Sequence, residues 1–304
     1  MNTSGHCSLV EKPKPKIAVT GATGFVGSRF LEYNAGRYEM TRLDLRKNGV
    51  AGLPDLSGVE AIVHFAGLAH QMKRVPDEWY FQTNVDLTRQ LIVKAKEQGV
   101  GYFIYVSSTK VYGDGQAAEM DEMSDCHPAD PYGLSKLQAE QFVLGAANPR
   151  FRVAIVRPPV VYGPKVKGNI LKLLSLTRRN WPLPFGQIQN ARSMVYIDNL
   201  VALIDRIIDN HSEGVFVAGD LEPVSTEALL RQMQMCFHGR AKLFAIPGFA
   251  RRVLKAVKPG LYNRLFGSFV INNGKTNQKL DFVPPVSTAE GVAAMVRWYR
   301  ERFK

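Results

Sequence analysis

The chain has 304 residues, 45% hydrophobic and 22% charged, enough to bury a full core and ordinary for a soluble globular protein rather than a disordered one. Thirty-nine Lys and Arg against 27 Asp and Glu leave a net charge of +12, which reads as a solvated basic surface or as attraction for a dianionic substrate, since no aromatic-and-basic RNA-binding signature accompanies it. No apolar run reaches the roughly 20 residues that span a bilayer, and Cys7, Cys126 and Cys236, far apart and without a C-x-x-C, signal neither a disulfide framework nor a zinc site and fit a reducing cytoplasm.

Residues 1–15 are polar, end in a Lys-Pro run and lack the apolar core of a signal peptide, so a disordered basic arm is expected there. Lys16 to Thr20 reads as a short buried strand. Gly21-Ala22-Thr23-Gly24-Phe25-Val26-Gly27 follows, and Ser28 to Tyr33 has helical spacing. Strand, glycine-rich turn and helix in this order form the setting of a dinucleotide site. Gly21 permits the tight turn, Gly24 lets backbone approach a pyrophosphate at a helix N-terminus, and Gly27 lets helix and strand pack closely. The spacing is G-x-x-G-x-x-G, a variant of the usual pattern. A second strand is expected from Tyr38 to Leu43. Asp44 at its end would accept hydrogen bonds from an adenosine ribose and favour NAD, whereas Arg46 would hold the 2′-phosphate of NADP, so the choice stays open. The segment from Asp44 to Glu60 is short for this half of such a fold.

Ala61 to Gly67 reads as a strand ending in small residues that would face a cofactor. Asn84 opens a helix with apolar positions at Leu87, Leu91, Ile92 and Ala95, either as an N-cap or as a site residue. Tyr102 to Val106 is a buried strand running into Ser107-Ser108-Thr109, hydroxyls at a strand's carboxyl end. Asp130 caps and Pro131 starts the next helix, which carries Tyr132 and Lys136 one turn apart on one face. A phenol beside an ammonium is a proton-transfer pair, because a cation lowers the phenol pKa. Such pairs are common on solvated helices, and it is the glycine turn upstream that gives this one meaning. Phe151 to Val156 is expected as the last core strand, broken off by Pro158-Pro159. Met194 to Asp209 reads as strand and helix, Val215 to Ala218 as a strand, and Ser225 to Phe237 and Thr288 to Arg302 as helices with Ser, Thr and Glu start signals. Within the basic stretch 240–264, the spacing predicts an amphipathic helix fit for weak contact with an anionic membrane surface.

These pieces resemble the extended short-chain dehydrogenase/reductases, and among them the NAD-dependent epimerase/dehydratase family. The matching segments are GATGFVG (21–27), HFAGL (64–68), TNV (83–85), VSSTKVYG (106–113), DPYGLSK (130–136), RPPVVYGP (157–164) and RSMVYIDN (192–199). The resemblance implies an α/β fold: a Rossmann-type doubly wound parallel sheet over 16–163 plus 193–220, with a small discontinuous substrate domain over 164–192 plus 221–304. It implies a cofactor, NAD or NADP, held by Gly21, Thr23, Gly24, Phe25, Val26, Gly27, Asp44, Arg46, Phe65, Ala66, Gly67, Asn84, Tyr132 and Lys136. Tyr132 would be the acid/base at a sugar O4. Lys136 would hold the nicotinamide ribose and lower the Tyr132 pKa, and Ser108, with Thr109, would contact the substrate. Arg192 would bind a nucleotide pyrophosphate and Asn169 the nucleotide. Position 67 is Gly where the family has Ala. HFAGL and SST-VYG look like UDP-galactose 4-epimerases, whereas 181–200 and 265–285 look more like bacterial UDP-4-keto-6-deoxy-N-acetylhexosamine 4-reductases. The expected function is such a 4-keto reductase on a UDP-linked sugar, with a UDP-glucose or UDP-N-acetylglucosamine 4-epimerase as the alternative. A homodimer is expected through the helix that carries Tyr132. Cys126-His127 lacks further ligands, and no metal is expected.

Overall fold

Several short apolar runs in this chain have almost no contact with solvent on either side, and strands buried on both faces require a parallel sheet covered by helices. The computed structural model, which describes residues 13–46, 49–69, 75–114, 119–240 and 242–303, builds that sheet. The chain runs β1 (Lys16–Thr20), α1 (Phe25–Tyr33), β2 (Glu39–Leu43), β3 (Ala61–His64), α2 (Asp77–Phe81), α3 (Leu87–Glu97), β4 (Tyr102–Val106), α4 (Pro131–Ala146) and β5 (Arg152–Arg157). It continues with β6 (Val160–Tyr162), α5 (Gly168–Arg178), β7 (Met194–Tyr196), α6 (Ile197–Asp209), β8 (Gly214–Val217), α7 (Thr226–Phe237), α8 (Gly248–Val257), α9 (Pro259–Phe266), α10 (Gly274–Leu280) and α11 (Thr288–Arg302).

Six strands pair in the order β2-β1-β3-β4-β5-β8, all parallel. Strand order reverses beside β1, the place where doubly wound sheets bind ligands outside their carboxyl ends. Alternate side chains enter opposite layers. Ile17, Val19 and Ile104 pack with α1 and α6, while Ala18, Ile62 and Phe103 pack with α3 and α4. Arg29 of α1 ties these helices together by donating to both carboxylate oxygens of Asp198 at 2.6 and 2.9 Å. A separate cluster joins β6 and β7 to α5, α7 and α11 through Tyr162, Leu174, Tyr196, Leu230 and Met295.

The start signals act as expected in three helices. Asp130 accepts from the Gly133 N–H at 2.8 Å. Ser225 accepts from Ala228. Ser287 and Glu290 exchange a reciprocal capping box. Four expectations need correction. The first helix begins at Phe25 rather than Ser28, so Phe25, Val26 and Gly27 belong to it. Asn84 is not an N-cap but the centre of a π-helical turn, Gln82–Asp86, linking α2 to α3. Phe151–Val156 is not the last core strand, because β8 adds beyond it. The Pro158-Pro159 break ends β5, yet β6 resumes two residues on and pairs with β7 in a small parallel sheet of its own. No metal-ligand cluster occurs among the described residues, and no helix there is long and apolar enough to cross a membrane. Cys7 and the first twelve residues lie outside the described part.

Candidate active site

The glycine turn is shaped by close approach. Gly21 has φ +64°, and a Cβ there would lie 2.7 Å from the Ala66 nitrogen and 2.8 Å from the Phe65 carbonyl carbon, so the turn presses on the end of β3. At Gly27 a Cβ would meet the Gly21 oxygen at 2.3 Å, which fixes how tightly α1 folds back on β1. Gly24 is the N-cap of α1, extended and without a side-chain cap, and the first turn holds no acidic residue. The Gly24 N–H is donated to the Gly21 carbonyl at 2.8 Å, and the N–H groups of Phe25, Val26 and Gly27 with the positive end of the helix dipole face outward for an anion. Thr23 and Gly24 are exposed at this mouth, while Phe25 and Val26 pack inward. Phe65 packs on Phe30 at 5.4 Å between centroids. These residues suit a dinucleotide pyrophosphate: free N–H donors, a helix N-terminus and no side chain in the way.

Tyr132, Lys136 and Ser108 come together where β4 ends. The Tyr132 hydroxyl is hydrogen-bonded with Ser108. Burial pushes the Tyr132 phenol up to about 12, the Ser108 bond opposes this, and Asp130 and Tyr80 add to it. Lys136 Nζ donates to the Val106 carbonyl at 2.8 Å and sits 4.2 Å from the Tyr105 ring centroid. Burial lowers the Lys136 ammonium to about 7, against a smaller opposing pull from Glu140. Among the protein's own groups, desolvation dominates both residues, and it favours a neutral phenol and a weakened ammonium. Thr109 is buried, with its N–H donated to the Pro158 carbonyl at 3.0 Å.

Asn84 does structural work that its position explains. Its Oδ1 accepts from the Leu68 N–H at 2.7 Å, and its Nδ2 donates to the Leu68 carbonyl and to Ser135 Oγ at 3.1 and 2.9 Å. Ser135 Oγ in turn donates to the Tyr132 carbonyl at 2.8 Å. The π turn thus pins the loop after β3 to the helix bearing Tyr132. A Cβ at residue 67 would lie 2.8 Å from Asn84 Oδ1 and 3.7 Å from Lys136 Nζ. Gly67, the departure from the family pattern, leaves that space open beside Asn84 and Lys136.

Several contributors escaped the sequence reading. Thr88 Oγ1 donates to the Asn84 carbonyl at 2.8 Å, so His64 Nε2 donates to Thr88 Oγ1, and His64 Nδ1 accepts from Thr20 Oγ1 at 2.6 Å. The Ala66 N–H completes this chain by donating to Thr20 at 3.1 Å. Burial holds the His64 imidazole near 3, neutral, with Lys136 a lesser cause. It links β1, β3 and α3 under the cofactor side. Glu140, one turn beyond Lys136, receives Arg157 through Nε at 3.1 and 3.2 Å and Nη2 at 2.6 Å, both side chains being almost fully buried. The i+4 step from Lys136 to Glu140 was visible in sequence. Arg157, at the far end of β5, was not.

The remaining expected residues lie further out. Arg46 clasps Asp44, Nε to Oδ1 at 2.9 Å and Nη2 to Oδ2 at 2.8 Å, on the rim beyond β2. Arg192 Nη1 donates to the Gly267 carbonyl at 3.0 Å and more weakly to Asn263 at 3.4 Å, at the end of α9. Burial lowers its pKa, while the charge of Asp114, just past the Tyr112-Gly113 turn, raises it. Asn169 is exposed on the first turn of α5, and its assignment rests on the resemblance.

Residues 17–219 match the model of the NAD dependent epimerase/dehydratase family. The UDP-glucose 4-epimerase of Vibrio cholerae is 33% identical, over 94% of this chain and 95% of its own. The Escherichia coli O157:H7 N-acetyl-alpha-D-glucosaminyl-diphospho-ditrans,octacis-undecaprenol 4-epimerase is 28% identical, over 65% of this chain and 64% of its own. Among solved structures, the UDP-glucuronic acid 4-epimerase of Bacillus cereus, in complex with NAD, superposes with a TM-score of 0.77 at 19% identity, covering 95% of this chain and all of that one. At such identity the likeness is one of fold. A glycine cradle at the switch point, a Ser-Tyr-Lys cluster at the end of β4 and a full-length relative above 30% identity agree, and this chain belongs to the NAD-dependent epimerase/dehydratase family of extended short-chain dehydrogenase/reductases.

Proposed function

We propose that the protein is an NAD-dependent oxidoreductase acting at C4 of a UDP-linked hexose, and that its net reaction is 4-epimerisation. The observation that carries the C4 chemistry is the Ser108-bonded Tyr132 hydroxyl one helical turn from buried Lys136. Bound NAD supplies a hydride acceptor and donor. As the alcohol is oxidised Tyr132 acts as phenolate and takes the proton of the sugar oxygen, and as the ketone is reduced the resulting phenol returns it. Ser108 fixes that oxygen. Lys136 holds the nicotinamide ribose, whose hydroxyls give it acceptors beyond Val106; with its charge so restored it favours the phenolate. Arg192 holds the diphosphate, and Asn169 contacts the nucleotide.

Epimerisation is preferred because the full-length relative from V. cholerae is a 4-epimerase. Dehydration is disfavoured because it commonly wants an acidic residue just after the active-site hydroxyl, and Ser108 is followed by Thr109 and Lys110, the latter held by Asp114 at 2.6 Å and Asp130 at 3.4 Å. Asp44 supports NAD over NADP. It accepts ribose hydroxyls, and while it neutralises Arg46 it repels a 2′-phosphate. The 4-keto reductase of a UDP-4-keto-6-deoxy-N-acetylhexosamine is the second reading. It is favoured by the likeness of segments 181–200 and 265–285 to such reductases, which must exchange their cofactor each cycle. A homodimer through α4 is supported by the outward Leu134, Phe142 and Leu144. The test is cofactor demand. Interconversion of UDP-hexose 4-epimers with substoichiometric NAD supports the epimerase. Stoichiometric loss of reduced cofactor with the 4-keto sugar, and no interconversion, selects the reductase.

A further inference from the structure

We infer that α8 is a docking surface for an anionic lipid bilayer. Phe249, Val253 and Val257 recur every four residues, so they form one stripe along the helix. They are 74%, 57% and 70% exposed, and no residue of α8 is buried. Three large apolar side chains in a row facing water are unusual on a soluble surface.

The opposite side is occupied. Ala250, Arg251 and Leu254 turn towards the protein, and Arg251 and Lys255 cover the Phe266 and Tyr262 rings of α9 at 4.8 and 5.7 Å. Arg252 is exposed beside the apolar stripe, and Lys258 is exposed where the helix ends. An apolar stripe with a basic flank is the pattern of a helix lying in a membrane interface, apolar side chains among the acyl chains and cations at the headgroups.

Charge selects the occupant. From Arg240 to Arg264, the stretch that contains α8, the chain carries seven Lys or Arg and no Asp or Glu. A second copy of this chain would set that excess against itself, whereas an anionic leaflet complements it. The site also has a functional position. The end of α9 supplies the carbonyls that hold Arg192, so a bilayer under α8 lies next to the proposed diphosphate end of the cleft. The docking itself does not depend on which C4 reaction the protein performs.

The experiment is flotation of the full chain with vesicles of phosphatidylcholine alone and with phosphatidylglycerol added, at low and high salt. The expected result is binding to the anionic vesicles only, weakened by salt. F249D/V253D and R252E/K258E should each lose at least about tenfold in partitioning, since one basic residue near a charged leaflet contributes about fivefold. Both variants should keep the wild-type melting temperature, because the altered side chains are exposed. Equal binding to neutral vesicles, or none to either, overturns the inference. So does light scattering that shows a wild-type dimer reduced to monomer by F249D/V253D without any vesicle binding, which would assign the stripe to a second copy.

Discussion

Replacing Lys136 with Met should stabilise the protein while abolishing turnover, and the stability gain should depend on pH in a calculable way. In the fold, burial lowers this lysine from 10.5 to about 7. A depressed lysine costs nothing above its unfolded pKa. The cost then grows as pH falls through the window from 10.5 to about 7, because the unfolded chain binds the proton that the fold resists, and it is constant below. At about 1.4 kcal/mol per pH unit, the penalty is about 4 kcal/mol at pH 7 and about 2 kcal/mol at pH 9. Methionine is close in length and uncharged, so it removes this penalty. It also leaves the Val106 carbonyl without its donor at 2.8 Å, a loss of about 1–2 kcal/mol. The variant should therefore gain about 2–3 kcal/mol at pH 7. The difference from wild type should shrink by about 2 kcal/mol between pH 7 and pH 9, and this change is free of the hydrogen-bond term. Urea unfolding followed by tryptophan fluorescence at the two pH values measures it. A difference that does not move with pH, or a destabilised variant at pH 7, would refute the reasoning that desolvation governs this residue.

Other perturbations read different parts of the account. Tyr132→Phe should lower kcat by about 10²- to 10⁴-fold, as loss of an acid/base does, with NAD binding by calorimetry intact; near-normal turnover removes the residue from the chemistry. Arg192→Met should raise KM for the UDP-sugar by about 10- to 100-fold and lower kcat less, because a charged hydrogen bond remote from the reacting carbon is lost. An unchanged KM would place the diphosphate elsewhere. Gly27→Ala would set a Cβ 2.3 Å from the Gly21 oxygen and should cost about 1–3 kcal/mol in unfolding experiments, with weaker NAD binding as the turn shifts. Glu140→Ala should cost about 3–5 kcal/mol, since it strands the Arg157 guanidinium without its buried carboxylate; a neutral effect in denaturant titration would mean that the pair adds nothing.

What could be read in the sequence was local. The glycine turn, the Asp130-Pro131 start of α4, the Ser287 and Glu290 box and the one-turn spacing of Tyr132 and Lys136 depend on residues a few positions apart, where periodicity and capping rules act directly. Asn84 was recognisable as a site residue, but the local rule for Asn before an apolar run suggested an N-cap. Within the π turn, Leu68 and Ser135, 16 and 51 residues away, both bind its side chain, and no window around residue 84 contains them. The same holds for Arg157 on Glu140 and for the Thr20, His64 and Thr88 chain, where strand pairing brings distant polar groups together in a dry interior. The desolvation of Tyr132 and Lys136 was hidden for a related reason. Spacing shows that a cation is near a phenol, whereas burial is a property of the whole fold.

The central claim is that a hydride leaves and returns to C4 of the sugar while Tyr132 handles the oxygen's proton. It is tested most directly by incubating the enzyme with UDP-glucose, and separately UDP-N-acetylglucosamine, in deuterium oxide with substoichiometric NAD, and following the sugar protons by NMR. The account predicts that the C4 epimer of at least one of them accumulates to equilibrium with no solvent deuterium at C4, since the hydrogen travels through the cofactor. Deuterium at C4 would mean inversion by deprotonation, and no inversion of either sugar would remove the epimerase reading; either result contradicts the proposal.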